Sequence, residues 1–141
     1  MIALLDTNII LDALQERSPF DTEAKEILRR AQGCKEFTCL FTANAAADIF
    51  YLYSKARDMR SAKTALDFLL TNYGVVTVSQ EDCKAALSLP IDDFEDALVV
   101  VCAQRACADY IVTSDEKFLQ SASPVKLVTP KAFVAFETRA K

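Results

Sequence analysis

The chain has 141 residues, 52% of them hydrophobic and 26% charged, with a formal net charge of −4, two glycines and no histidine. That length and balance fit one globular domain that buries roughly 70% of its unfolded surface, and a single domain over residues 1–141 is expected. The missing imidazole excludes Ser-His-Asp and Cys-His catalysis and His-containing zinc sites, the scarcity of glycine excludes a Walker loop or dinucleotide fingerprint, and the acidity argues against a basic nucleic-acid-binding surface spread over the whole protein.

Five cysteines (Cys34, Cys39, Cys83, Cys102, Cys107) form an odd set without a C-x-x-C pair. They read as free thiols in a reducing compartment. The opening MIALLDTN has no basic leader and only a short apolar run. Neither a signal peptide nor a membrane span is expected, and a cytoplasmic location is.

In chain order, Ile2 to Leu5 is a continuous apolar run, the pattern of a strand buried on both faces. Asp6-Thr7-Asn8 supplies capping side chains for a helix whose apolar face holds Ile9, Ile10, Ala13 and Leu14, and Ser18-Pro19 breaks it. A helix from about Phe20 to Ala31 and a strand from Phe37 to Phe41 follow. Thr42 is the expected N-cap of a helix over Ala43 to Ala56, with Ala47, Phe50, Tyr51 and Ser54 on one helical stripe and Asp48 beside them. Another helix runs from about Arg60 to Leu70. Gly74 and the β-branched run Val75 to Val78 read as a strand, and Ser79-Gln80-Glu81-Asp82 as a capping box that opens a helix to Leu87.

Pro90 stops that helix, and Asp92 is read as the cap of a long helix to about Cys107, with Asp93 and Glu95 on its solvated side. Ala108-Asp109 turns the chain into a strand Tyr110 to Val112 that ends on Thr113-Ser114-Asp115. A strand near Val125 to Val128 and a helix introduced by Thr129-Pro130 complete the pattern. Strands alternating with helices predict an α/β fold around a mainly parallel sheet.

Two strands ending in Asp, and a helix opening on Asp, predict an acidic pocket at the carboxyl end of the sheet, where open α/β sheets bind ligands. Its candidates are Asp6, Asp48, Asp96 and Asp115. Two carboxylates about 4 Å apart repel by roughly 4 kcal/mol at an effective dielectric near 20, so four together call for a cation. Mg²⁺ or Mn²⁺ suits oxygen ligands and supplies phosphodiester chemistry without histidine. Each acid also has a plainer reading. Asp6 and Asp115 can cap the helices after them, Asp48 can be a solvated helix residue, and Asp109 a turn residue. Asp96, followed at once by the apolar run Ala97 to Cys102, needs a partner.

MIALLDTNIILDAL, DFEDALVVVCAQRACADYIVTSDEKF and VKLVTPKAF together resemble the PIN-domain (PilT N-terminus) family, and within it the bacterial branch that includes VapC-type toxins. The resemblance implies a three-layer, Rossmann-like sheet of strand order 3-2-1-4-5 flanked by helices. It also implies an endoribonuclease that uses Mg²⁺ or Mn²⁺, an RNA substrate, a small antitoxin partner and a homodimer. Asp6, Asp96 and Asp115 match the family's first, central and T-x-D acids and are the implied metal ligands, with Asn8 and Thr113 at accompanying polar positions. The second acid is usually Glu. Here Asp48 stands in its place, one methylene shorter, which makes a water-mediated role plausible, and Asp93 is the next candidate.

The alternative is a PIN-like module that binds RNA or an antitoxin without cutting. An aspartyl-phosphate phosphotransferase needs a second Asp two residues after the first, where this chain has Asn8.

Overall fold

The computed structural model describes residues 1–33 and 37–140. The Cys34 thiol lies outside the described residues, and the other four cysteines are free. The elements in order are β1 (Ile2–Leu5), α1 (Thr7–Leu14), α2 (Asp21–Gly33), β2 (Thr38–Thr42), α3 (Ala43–Ala56), α4 (Met59–Asn72) and β3 (Gly74–Val76). They continue with α5 (Gln80–Leu87), α6 (Phe94–Arg105), β4 (Tyr110–Val112), α7 (Glu116–Leu119), β5 (Lys126–Val128) and α8 (Pro130–Ala140).

The five strands form one sheet in the order β3-β2-β1-β4-β5, and every pairing is parallel. This is the expected strand order. β1 lies at the centre, with Ala3 opposite Cys39 of β2 and Tyr110 of β4. A central parallel strand must be apolar on both faces, and Ala3, Leu4 and Leu5 are fully or almost fully buried.

Because side chains alternate across a strand, the two faces of the sheet build two separate cores. Ala3, Leu5, Cys39, Phe41 and Val112 pack with Ile9, Ile10, Ile27, Ile49, Leu69 and Phe133 from α1, α2, α3, α4 and α8. Leu4 and Ile111 face the other way, onto Ala86, Leu98, Val100, Cys102 and Phe118 from α5, α6 and α7. The result is three layers, helices on both sides of a parallel sheet. No helix among the described residues is long and apolar enough to cross a membrane.

Some expectations shift. The stripe of α3 that enters the core is Ala45 and Ile49, one turn apart, whereas Ala47 and Tyr51 are exposed. β3 stops at Val76 because its only neighbour, β2, pairs with it through Leu40, Phe41 and Thr42 and then turns into α3. The single turn α7 after Asp115 is an element of its own, and the expected caps Thr42 of α3 and Ser79 of α5 are both in place, the latter as a full capping box with Asp82.

Candidate functional site

Asp6 is the residue directly after central strand β1. Its backbone N–H donates to Val112 O (2.9 Å), so the sheet itself fixes where the side chain starts. Both carboxylate oxygens are engaged: Oδ1 accepts from Thr7 N–H (2.9 Å) and Oδ2 from the hydroxyl of Thr113 (2.8 Å). Thr113 is fully buried, and its Oγ1 also accepts from Asp115 N–H (3.1 Å). One hydroxyl therefore ties the acid after β1 to the loop after β4. Asp115 in turn caps α7 with a single oxygen, Oδ1, which accepts from Lys117 and Phe118 N–H. Among the described residues no donor reaches its Oδ2.

The N-terminus of α6 brings a second pair. Asp93, not Asp92, is the N-cap: Oδ1 of Asp93 accepts from Asp96 N–H (3.1 Å), and the helix begins at Phe94. Asp92 lies outside the helix because the cap must sit three residues before the N–H it receives, and that donor belongs to Asp96. Asp96 is thus the third residue of the helix, and Ala97 and Leu98 beyond it are buried.

These elements enclose a cleft of about 240 Å³. Asp6, Asn8, Asp48, Asp93, Asp96 and Asp115 all line it; Thr113 lies beneath. Asp48 reaches it from the middle of α3. Glu95, read from the sequence as solvated, is also on the wall, as are Thr7, Asn44 and Leu52. The signal for Glu95 was its place between Asp93 and Asp96 at a helix start that closes on the carboxyl end of the sheet.

The electrostatics follow from that crowding. Burial first, and then the charges of Asp93, Asp6, Asp115 and Glu95, push the carboxyl of Asp96 up to about 7. Asp6 is raised mainly by burial and further by Asp115 and Asp93, against the lowering effect of the Thr113 and Thr7 hydrogen bonds. Glu95 is raised by burial and then by Asp48, Asp93 and Asp6. Asp48 thus shares the field of the α6 acids across the cleft. Among the described residues no Lys or Arg lines the cleft to offset them.

Such a site disfavours its own ionisation and favours an added cation. No group of three or more Asp, Glu or Cys among the described residues is arranged to hold a metal ion by itself. The donors therefore suit an ion that takes one or two carboxylates and keeps much of its water, the habit of Mg²⁺ and Mn²⁺, and do not suit a closed zinc site. Asp6, Asp96 and Asp115, together with Asp48 and Asp93, are the carboxylates that line the cleft and would be its candidate ligands.

Comparison with known proteins agrees with the fold. A structure of VapBC2 from Rickettsia felis, bound to a DNA fragment from its promoter, is similar at TM-score 0.70 and 22% identity, over 92% of this chain and 98% of that one. VapBC-1 from nontypeable Haemophilus influenzae is similar at TM-score 0.67 and 17% identity, over 93% and 99%. VapC20 of Mycobacterium tuberculosis, a toxin that cleaves the sarcin-ricin loop, is similar at TM-score 0.66 and 17% identity, over 82% and 92%. No curated protein sequence matches this one significantly. The PIN-domain family model matches residues 3–117, most of the chain and every acid of the cleft. The chain belongs to the PIN-domain family.

Proposed function

We propose that this protein is an endoribonuclease that hydrolyses RNA phosphodiester bonds with Mg²⁺ or Mn²⁺, and that it is the toxin of a toxin-antitoxin pair. The observation that carries this reading is the convergence of Asp6, Asp96 and Asp115 from three separate elements on one cleft that no Lys or Arg among the described residues lines. Family membership supports the nuclease class. The similarity to toxin-antitoxin complexes from Rickettsia felis and Klebsiella pneumoniae supports a small antitoxin as partner, and VapC20 supports RNA as substrate.

Bound there, a divalent ion would lower the pKa of a coordinated water and stabilise the charge that develops on the phosphate. The chain's own groups do the rest. Thr113 holds Asp6 in one orientation, so that a carboxylate already desolvated by the sheet stays aimed at the cleft. Asp93 and Asp115 each spend one oxygen as a helix cap, which fixes the rotamer and leaves the second oxygen for a ligand or its water. Asp96, raised to about 7 with no cation beside it, would be drawn into its ionised form by a bound ion and offer that ion a carboxylate oxygen. Asn8 offers an amide at the cleft wall for a phosphate oxygen or a water.

The test is cleavage of RNA by the purified protein in Mn²⁺. Wild type should cut, and Asp6→Asn should lose at least a hundredfold in rate with its fold intact by circular dichroism. Full activity in Asp6→Asn would refute the assignment. RNA binding without cleavage in wild type would favour the non-cutting module instead.

A further inference from the structure

A second cavity, of about 360 Å³, opens between the loop before α2, the end of β4 and the start of α8. Its size falls in the range of roughly 300 to 1,000 Å³ typical of small-ligand pockets. Phe20 stands on its wall with 58% of its surface exposed, beside Leu119 and Pro130. The charged part of the lining is Glu23, Glu116 and Lys131, with Thr129 as a further polar residue. Ser114 lines it too, and the next residue, Asp115, lines the acidic cleft. The Ser114 hydroxyl is buried without a hydrogen-bond partner among the described residues, a rare state for a polar group.

We propose that this cavity receives one unpaired nucleobase of the RNA, a neighbour of the scissile phosphate, and this rests on the nuclease reading of the adjacent cleft. The chemistry favours a base over other occupants. An exposed aromatic ring with apolar sides is a stacking platform, and single-stranded RNA is recognised by splaying bases onto such rings and bonding their edges. Glu23 and Glu116 accept hydrogen bonds, which matches the amino and imino N–H groups of a base edge and not a phosphate. Lys131, exposed at the mouth, is the group that would meet the flanking phosphate. Ser114 and Asp115 are consecutive, so one loop contributes to both cavities, and a single strand held at Asp115 has this pocket on the other side of that loop.

The chain contains no tryptophan. Phe20→Trp therefore introduces a sole indole reporter at an exposed position where substitution spares the core. In an Asp96→Asn background that keeps the strand intact, a single-stranded ten-nucleotide RNA should quench that indole saturably. One member of a series with single abasic replacements should bind without quenching. Phe20→Ala should weaken RNA binding by about 5- to 150-fold, the measure of one lost stack.

RNA that binds while the indole stays unquenched would overturn the proposal and leave the nuclease reading standing. So would quenching that only an apolar helical peptide, and no RNA, produces, which would make the cavity a protein-docking site. If wild type neither binds nor cuts RNA in Mn²⁺, the nuclease reading itself has failed and the base pocket falls with it.

Discussion

At the scale of single residues, capping and ligation prove to be compatible duties for the same carboxylate. Asp93 and Asp115 each cap a helix through Oδ1, and the geometry of a cap needs only one oxygen. The sequence offered cap and ligand as alternatives for Asp115, and the structure shows that the cap leaves the ligand reading open. Thr113 is the least replaceable neighbour, because its hydroxyl serves Asp6 and Asp115 together from a fully buried position. Thr113→Val keeps the volume and removes both bonds. A hydrogen bond to a charged group contributes about 1.5–3 kcal/mol, so kcat for RNA cleavage should fall roughly 10- to 150-fold, and Thr113→Ser should restore most of it. An equal loss in both variants would assign Thr113 to packing alone. At position 48 the question is reach: Glu extends about 1.5 Å further than Asp, and Mg²⁺ tolerates little error in ligand distance. Asp48→Glu should raise Mn²⁺-dependent cleavage and Asp48→Ala lower it. Activity that falls with Glu and survives with Ala would make Asp48 a bystander and Asp93 the acid to substitute next, followed by Glu95, whose carboxyl is raised in part by Asp48.

At the scale of elements, what could be read from the sequence was whatever burial and caps impose locally. The run Ile2 to Leu5 announced a strand buried on both faces, and the sheet order makes it the central one. Ser79 and Asp82 announced the start of α5. The face of α3 was not readable in the same way: ANAAADIFYL has alanines on every side, so its periodicity cannot choose between Ala47 and Ala45, and contact with the sheet decides for Ala45 and Ile49. One turn of helix, as in α7, carries no period at all. The cap of α6 was displaced by one residue because Asp92 and Asp93 are identical in kind, and only the hydrogen bond from Asp96 N–H separates them. A long-range link was invisible too. Arg105 at the end of α6 grips Asp82 at the start of α5 with two nitrogens (3.0 and 2.9 Å) and also donates to Thr77 O, and it holds the Asp82 carboxyl below its usual range. Asp82→Ala removes this pair and the capping box together, so its melting temperature should drop by more than that of Arg105→Ala, which leaves the box in place. Equal drops would show that the box contributes nothing.

At the scale of the whole molecule, the sheet order places the carboxyl end of β1 beside that of β4 and under the start of α6, and it is this edge that concentrates negative charge. The cost appears as a dependence of stability on pH. Asp96 has an ordinary value of 3.8 and is raised to about 7 in the fold, and Asp6 and Glu95 are raised as well. Between those limits the folded chain holds protons that the unfolded chain has released, so the free energy of unfolding falls as pH rises. Without divalent ions, the contribution of the cleft should therefore decline from about pH 4 to pH 7 and then level off. Solvent screening in an open cleft holds the total from Asp96 to about 1–2 kcal/mol, less than full conversion of the shift gives. Glu26, held down to about 2 by Arg29 and Arg30, and Asp82, held down by Arg105, act in the opposite sense and only at lower pH, where their carboxylates take up protons. The two windows barely overlap, which makes the cleft's share measurable. Mg²⁺ or Mn²⁺ binds the ionised site, so its stabilisation should be small at pH 5 and reach about 2.7 kcal/mol at pH 8 with the ion at a hundred times its Kd. Asp96→Asn should flatten the metal-free decline and shrink the shift produced by the ion. Thermal melts at pH 5 and pH 8, with EDTA and with Mn²⁺, decide the matter. A metal-free melting temperature that climbs between those pH values, or a metal shift unchanged by Asp96→Asn, would place the binding elsewhere than in this cleft.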